Sequence, residues 1–191
     1  MNPTPSPEVG GAITALVQGR HQQPHDLLGQ HLEPGGLRIR VLKPLAQSVQ
    51  VRYEDSVTLD LAHEAEGVWT AVRADAERTM DYRLAVAWAD GIEHVQDDPY
   101  RFAPTLGEVD LHLVNEGRHE LLWTVLGSRL HEYDGPMGPV KGVAFAVWAP
   151  RAKAVRVIGD FNDWDGRIHP MRMLGGSGVW ELFVPDVVVG N

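Results

Sequence analysis

The 191-residue sequence contains no cysteine. Disulfides, thiol nucleophiles and zinc sites built on cysteine are therefore excluded, and such a composition is compatible with the cytoplasm. The sequence also lacks an apolar run long enough to span a bilayer. Its first eleven residues hold three prolines and no apolar segment, which argues against a signal peptide. We expect a cytoplasmic chain with no membrane partner.

Clusters of lysine and arginine are missing as well. The chain has 17 basic and 26 acidic side chains and a formal net charge of −9. Because contacts with phosphates depend on clustered basic residues, no nucleic acid partner is expected. A neutral polysaccharide needs no charge complement, so the acidic balance is compatible with a sugar ligand.

Residues that could carry chemistry are few. Asp97 and Asp98 are adjacent, but an acidic turn before a proline explains them better than an acid/base pair. His21 and His25 would share a helix face that could hold a metal, yet Pro24 disfavours a helix through that pair. We interpret these histidines as polar loop residues. There is no phosphate-binding loop or nucleophile elbow, so no catalytic residue, metal or cofactor is predicted.

The hydrophobic pattern is that of short strands. Apolar and polar residues alternate in several segments that are separated by turn residues. The predicted strands are residues 37–41, 49–53, 57–61, 68–72, 82–89, 92–95, 143–148 and 154–158. Short helices are expected at residues 12–18 and 110–117. The pattern predicts an all-β chain of immunoglobulin-like antiparallel sandwiches.

The chain contains an internal repeat. Three segments of the first half, residues 28–31, 41–51 and 67–69, are echoed by residues 126–131, 147–157 and 178–180. We therefore predict two tandem sandwiches of one topology. The first continues through strands that the second does not reach before Asn191, so the second is expected to be incomplete, with an unpaired strand edge.

This repeat suggests a division of the chain. We predict a disordered tail at residues 1–11, a first sandwich at 12–105, a connector at 106–125 and an incomplete second sandwich at 126–191. Trp123, in the connector, is expected to pack between the two sandwiches.

An aromatic loop at residues 159–164 is the candidate binding site. A neutral glucan binds to an aromatic ring that covers its C–H face, while polar side chains bond its hydroxyls. Trp164, Asn162 and Asp163 fit that description and are the predicted carbohydrate-binding residues. The alternative, equally supported, is that this loop packs against another domain. Trp180 and Trp148 are expected to be core or interdomain residues instead.

The same loop carries a resemblance to a known family. Residues 147–150 (VWAP), 159–162 (GDFN) and Trp164 are similar to the isoamylase-type carbohydrate-binding module of the α-amylase family. The His-Asp-Leu-Leu-Gly string from His25 resembles the opening of bacterial glycogen branching enzymes. The stretch from Asp98 to residue 127 resembles the junction of their two N-terminal domains. The resemblance covers residues 12–191.

This resemblance implies a function for the parent protein. Glycogen branching enzymes are glycosyltransferases that cut an α-1,4-glucan and pass the segment to a 6-hydroxyl, forming an α-1,6 branch. The implied role of the N-terminal region is to position glycogen or another α-1,4-glucan chain for a catalytic barrel. No βα repeat for that barrel is present, so the chain by itself is expected to be non-catalytic.

Two alternatives stay open. One is a stand-alone carbohydrate-binding or scaffold protein, and the other is the N-terminal region of another glucan enzyme of the α-amylase family. The duplicated sandwich argues against both, because those proteins typically carry a single module.

Overall fold

The computed structural model describes residues 5–188, so the first four and the last three residues of the predicted tail and second sandwich lie outside the described residues. Two α-helices in this range are α1 (Pro7–Val17) and α2 (Glu108–Asn115). The strands are β1 (Gly29–Glu33), β2 (Gly36–Leu42), β3 (Ser48–Tyr53), β4 (Thr58–Ala65), β5 (Val68–Arg73), β6 (Tyr82–Ala87), β7 (Glu93–Gln96), β8 (Gly127–Tyr133), β9 (Val140–Trp148), β10 (Arg172–Met173) and β11 (Val179–Pro185). The predicted all-β fold class is confirmed.

Strands β1 to β7 form the first antiparallel sandwich, in the order β1-β2-β5-β4-β3-β6-β7. β4 pairs with β3 along its first half and with β5 along its second half, so it passes from one layer to the other. A bulge between His63 and Ala65 accompanies this change of partner. Alternate residues of both layers fill the interior, among them Ile39, Val51 and Leu84.

The second sheet repeats the topology of the first. Its order is β10-β11-β9-β8, which corresponds to β4-β5-β2-β1. In the first copy the Trp69 indole donates a hydrogen bond to the carbonyl of Lys43 at 3.1 Å. In the second copy the Trp180 indole donates to the carbonyl of Ala149 at 3.0 Å. The predicted internal repeat is confirmed by the strand order and by this shared contact.

A glycine precedes β5 in the first copy and β11 in the second, for the same reason in both. Gly67 and Gly178 have φ angles of +83° and +74°, a region that side chains disfavour. A Cβ on Gly67 would lie 2.4 Å from the Cα of Pro44, and one on Gly178 would lie 2.6 Å from the Cβ of Pro150. The proline that ends one strand therefore packs directly on the backbone that begins its partner.

Helix α1 starts inside the segment predicted to be disordered, residues 1–11. Ser6 caps its first turn, and proline occupies the first helical position. The apolar side chains of Ile13 and Leu16 are fully buried. The structure thus has a helix from Pro7 onward within the predicted tail, and this cap and the buried face together stabilise it.

The predicted strand at residues 154–158 is not formed as a ladder. Arg156 makes an isolated bridge with Pro170. Its counterpart β3 is held on both sides, by β4 and β6, whereas no counterpart of β6 occurs among the described residues. Val147 is accordingly 41% exposed, while the equivalent Val41 is fully buried. The strand prediction is wrong because strand geometry depends on pairing partners, and the edge expected to be unpaired is present.

The tryptophans outside the loop divide into core and surface. Trp180 is fully buried, as predicted. Trp123 is 71% exposed and Trp148 is 57% exposed, so within residues 5–188 neither packs in the core or between the two sandwiches. A contact of Trp148 with another domain stays a prediction. Trp123 lies in a single 3₁₀ turn after α2, where no strand or helix covers it.

Helix α1 connects the two halves of the molecule. The Arg156 guanidinium donates to the carbonyls of Leu16 and Val17 at 3.3 and 3.0 Å, at the negative end of the helix dipole. The Met173 N–H donates to the carbonyl of Gln22 at 2.9 Å. One buried cluster includes residues from both halves: Ile13, Leu16, Leu28, Leu42, Val68, Tyr100, Val143, Trp180, Leu182 and Val184.

The end of the first sandwich, at residues 102–105, is held to the second sheet by a buried ion pair. Glu181 is completely buried and accepts from Arg172 at 2.9 Å. It also accepts from the N–H and hydroxyl of Thr105, both at 2.9 Å. Arg172 donates in addition to the carbonyl of Phe102 at 3.2 Å. These bonds compensate the burial of both charges.

No helix in residues 5–188 is long and apolar enough to cross a membrane.

Candidate functional site

The aromatic loop is a compact turn at the edge of the second sheet. Residues 160–162 form one turn of 3₁₀ helix. Asp163 and Trp164 then adopt positive φ angles of 51° and 58°. A bulky residue at positive φ is an outlier, and consecutive outliers are strained backbone of the kind that clusters at binding sites. The loop closes through the Trp164 N–H, which donates to the carbonyl of Gly159 at 3.0 Å.

Asn162 holds this loop from beneath. Its side-chain oxygen accepts from the Gly159 N–H at 2.9 Å, and its amide nitrogen donates to the Val157 carbonyl at 2.9 Å. The amide also contacts Nδ1 of His169 at 2.8 Å. The side chain is buried and its polar atoms are engaged. This position argues against the predicted contact of Asn162 with a sugar hydroxyl, and gives the residue a supporting role.

Trp164 is the exposed aromatic of the loop. The residue is 64% exposed, and its indole N–H donates to Oδ1 of Asp160 at 2.8 Å. Asp163 is exposed beside it. The structure thus places Trp164 and Asp163 together on the surface, while Asn162 lies underneath.

The layer below the loop is aromatic and neutral. The Phe161 ring stacks on Phe145 with 6.2 Å between centroids and lies 5.7 Å from His169. Burial lowers the pKa of His169 to about 3, and the nearby charge of Lys43 acts in the same direction. A neutral ring can accept the amide proton of Asn162 at Nδ1, so the bond is compatible with this pKa.

The exposed Trp164 ring forms an aromatic platform, and a groove of about 370 Å³ runs beside it. Its lining includes Trp164 and Asp160 of the loop and Ser128 and Arg129 of β8. Apolar side chains, among them Phe145, complete the lining. An exposed ring together with polar groups and apolar side chains is the composition expected of a carbohydrate site.

The first sandwich supports the loop from behind. The Tyr100 hydroxyl lies 3.3 and 3.2 Å from the carbonyls of Ile168 and Pro170, which flank His169. Burial raises the pKa of Tyr100 well above its ordinary value, so the phenol keeps its proton and donates. The platform therefore depends on both halves of the chain for its position.

The other polar groups considered in the sequence take part in packing or hydrogen bonds. Asp98 is buried and accepts from the Tyr82 hydroxyl at 2.7 Å. His25 packs edge-on against Tyr100, and burial together with the charges of Arg172 and His31 lowers its pKa to about 3. In residues 5–188 no group of three or more histidine, aspartate or glutamate side chains is placed to hold a metal.

Asp160, which accepts the indole N–H of Trp164, is a residue of the loop that the sequence analysis did not single out. In the sequence it appears only as part of the motif at residues 159–162. Its spacing of four residues from Trp164 is that of two neighbours on one face of a helix. The corresponding turn of the first sandwich, residues 53–56, carries no tryptophan. The platform is therefore specific to the second copy.

Two family models match the chain. Residues 10–100 match the N-terminal domain of alpha-1,4-glucan branching enzyme GlgB. Residues 126–191 match carbohydrate-binding module 48, the isoamylase N-terminal domain. The second match contains the aromatic loop and the groove.

Curated relatives agree with these matches. The chain is 54% identical over 175 residues to the 1,4-alpha-glucan branching enzyme GlgB of Thermobifida fusca, covering 92% of this chain and 23% of that protein. It is 51% identical over 179 residues to the enzyme of Rhodococcus jostii, covering 94% of this chain and 24% of that protein. The chain thus spans about a quarter of the length of these relatives.

Solved structures give a weaker likeness. A pullulanase of Anoxybacillus sp. LM18-11 in complex with maltotetraose is 22% identical, with a TM-score of 0.36, over 45% of this chain and 13% of that one. A TM-score of this size is too low to support an argument about the site.

Proposed function

Because the chain belongs to the glycogen branching enzymes, with their N-terminal domain at residues 10–100 and a carbohydrate-binding module at 126–191, we propose that it binds an α-1,4-glucan through Trp164. The resemblance predicted from the sequence is confirmed. The observation that carries the proposal is an exposed indole fixed at the rim of a groove. A sugar ring placed on the indole would bury apolar area without displacing a charged group.

The ligand is expected to be glycogen or a linear α-1,4-glucan. In this proposal Asp163, which is exposed next to Trp164 in the chain, bonds a hydroxyl of the sugar that stacks on Trp164, and Asn162 keeps the loop in shape. In the parent enzyme this region would deliver the donor chain to the catalytic barrel, which transfers it to a 6-hydroxyl in the cytoplasm. The chain itself supplies no catalytic group to this proposal.

A second candidate function is packing against the barrel of the parent enzyme. It is favoured by exposed apolar side chains around the groove, of which Leu130 and Ile158 are examples. The stand-alone scaffold and the other glucan enzymes are disfavoured, because the relatives named above are branching enzymes at about half identity.

Native affinity electrophoresis with and without glycogen in the gel tests the proposal. We expect glycogen to retard the wild-type chain and not the Trp164→Ala variant. Trp123→Ala is the matched control, because Trp123 is equally exposed but lies outside the groove, and it should be retarded like wild type. Equal retardation of wild type and Trp164→Ala would contradict the proposed site. No retardation of any chain would favour barrel packing instead.

A further inference from the structure

The backbone of the loop fixes where the Trp164 side chain begins, but not where its ring lies. Positive φ angles at Asp163 and Trp164 and the bond from the Trp164 N–H to Gly159 set the direction of the Cα–Cβ bond. The two side-chain torsions beyond that bond are not restricted by packing, since the residue is mostly exposed. An exposed indole without a further tether samples several rotamers on a nanosecond scale.

Asp160 supplies that tether. Its Oδ1 accepts the indole N–H at 2.8 Å, and the residue opens the 3₁₀ turn that precedes Trp164. The turn is itself anchored through Asn162, so the carboxylate has a fixed position relative to the groove. Both Asp160 and Trp164 line that groove, as do Ser128 and Arg129 of β8. The hydrogen bond therefore sets which face of the indole meets a ligand in the groove.

We propose that Asp160 is a positioning residue for glucan binding, which holds the Trp164 indole in its binding orientation before the sugar arrives. A free ring would lose its rotamer freedom when a sugar stacks on it, whereas a tethered ring has lost it already. Hydrogen bonding, and not the negative charge, carries this role, because the ligand is neutral. The inference rests on the proposed glucan site at Trp164.

Four variants of the full 191-residue chain test it with maltoheptaose as the probe. Asp160→Ala is expected to weaken binding about three- to tenfold, the effect of freeing one side chain. Asp160→Asn keeps an acceptor oxygen and is expected to bind within about twofold of wild type. Asp165→Ala is the matched control, because Asp165 is a carboxylate directly after the loop that bonds Arg167 and not the indole. It is expected to bind like wild type. Trp164→Ala is the reference for lost binding.

A spectroscopic readout separates positioning from general damage to the fold. The indole N–H resonance of Trp164, assigned with Trp164→Phe, should shift and exchange faster in Asp160→Ala and keep its position in Asp160→Asn. The melting temperatures of both variants should stay near wild type, since Asp160 is exposed.

The outcomes separate the two proposals. If Trp164→Ala abolishes binding while Asp160→Ala binds like wild type, the positioning role is overturned and the glucan site stands. Loss of affinity in Asp160→Asn equal to that in Asp160→Ala would also overturn it, since charge and not the hydrogen bond would then matter. If wild type does not bind or Trp164→Ala binds equally well, the proposed site itself fails.

Discussion

Single residues of this molecule show that burial, more than residue type, decides what a polar side chain does. Asn162 and Asp160 lie two positions apart in the same loop, yet one is buried and one is exposed. The buried amide bonds one polar group of the loop and two that flank it, and the exposed carboxylate tethers an indole. The positive φ angles at Asp163 and Trp164 cost on the order of 1–3 kcal/mol each, which the bonds of Asn162 offset.

The buried pair of Glu181 and Arg172 gives a prediction about stability. Glu181→Ala should lower the free energy of unfolding by about 3–5 kcal/mol, because it leaves the Arg172 charge buried without its partner. Chemical denaturation with an unchanged m-value measures this loss. Arg167→Ala breaks an exposed pair with Asp165 and should cost less than about 1 kcal/mol. A loss from Glu181→Ala as small as that of the control would contradict the stabilising role of the buried pair of Glu181 and Arg172.

The sequence predicted an accessible ring at Trp164, but it also predicted a sugar contact for Asn162, whose side chain is buried. Trp164 follows a predicted strand in a polar loop, which indicates an accessible ring. An asparagine in the same loop carries no signal of the direction of its amide. That direction depends on His169, seven residues further on, and on the Val157 carbonyl, and neither contact has a sequence pattern.

Secondary-structure elements were predictable where alternation is strong. β2, β3, β5, β6 and β9 were expected within a few residues. β1 and β8 were missed because each includes polar residues on both faces, as in Gln30 and His31. The start of α1 was missed because three prolines near the N-terminus suggested disorder, although proline suits the first turn of a helix.

The repeated proline–glycine contact gives a prediction at the scale of elements. Gly178→Ala should destabilise the chain by about 1–3 kcal/mol, because its Cβ would collide with Pro150 and φ is positive. Gly176→Ala is the control, since a Cβ there meets nothing within 4 Å. Thermal unfolding of both variants measures the difference. Equal melting temperatures would contradict the role of this contact in joining β9 and β11.

The whole molecule was predictable in class and topology but not in its internal boundary. The sandwich class followed from the hydrophobic pattern, and the tandem arrangement followed from the repeated sequence segments. The proposed division at residues 12–105 and 126–191 did not predict that α1 packs into a cluster shared with β9 and β11. Contacts between distant segments, such as Arg156 with Leu16, depend on the final arrangement of both halves.

Acid sensitivity is the prediction for the molecule as a whole. Burial lowers the pKa values of His25 and His169 to about 3, whereas both should titrate near 6.5 in the unfolded chain. The unfolded state then binds more protons below pH 6.5, so this stability is complete above pH 6.5 and is lost as the pH falls towards 3. Each histidine contributes about 1.4 kcal/mol per pH unit in that range. Denaturation at pH 7, 6 and 5 measures the slope.

Variants of the two histidines control this slope. His25→Gln should remove about half of it, and the double variant with His169→Gln should remove most of it. Burial raises the pKa values of Asp97 and Asp98, which acts in the opposite direction at lower pH. The slope of the unfolding free energy between pH 6.5 and 5 is therefore the one that reports on the two histidines. An unchanged slope in the double variant would refute the histidine origin.

The bond between Arg156 and the end of α1 has a consequence for protein synthesis. Its partners are 140 and 139 residues apart in the chain. At about 5–20 residues per second, a ribosome needs roughly 7–28 seconds to make the intervening segment. During that interval the eleven-residue helix, too short to be stable alone, lacks the Arg156 guanidinium at its last turn. The beginning of this chain is therefore expected to reach its final state only after the second sheet has emerged.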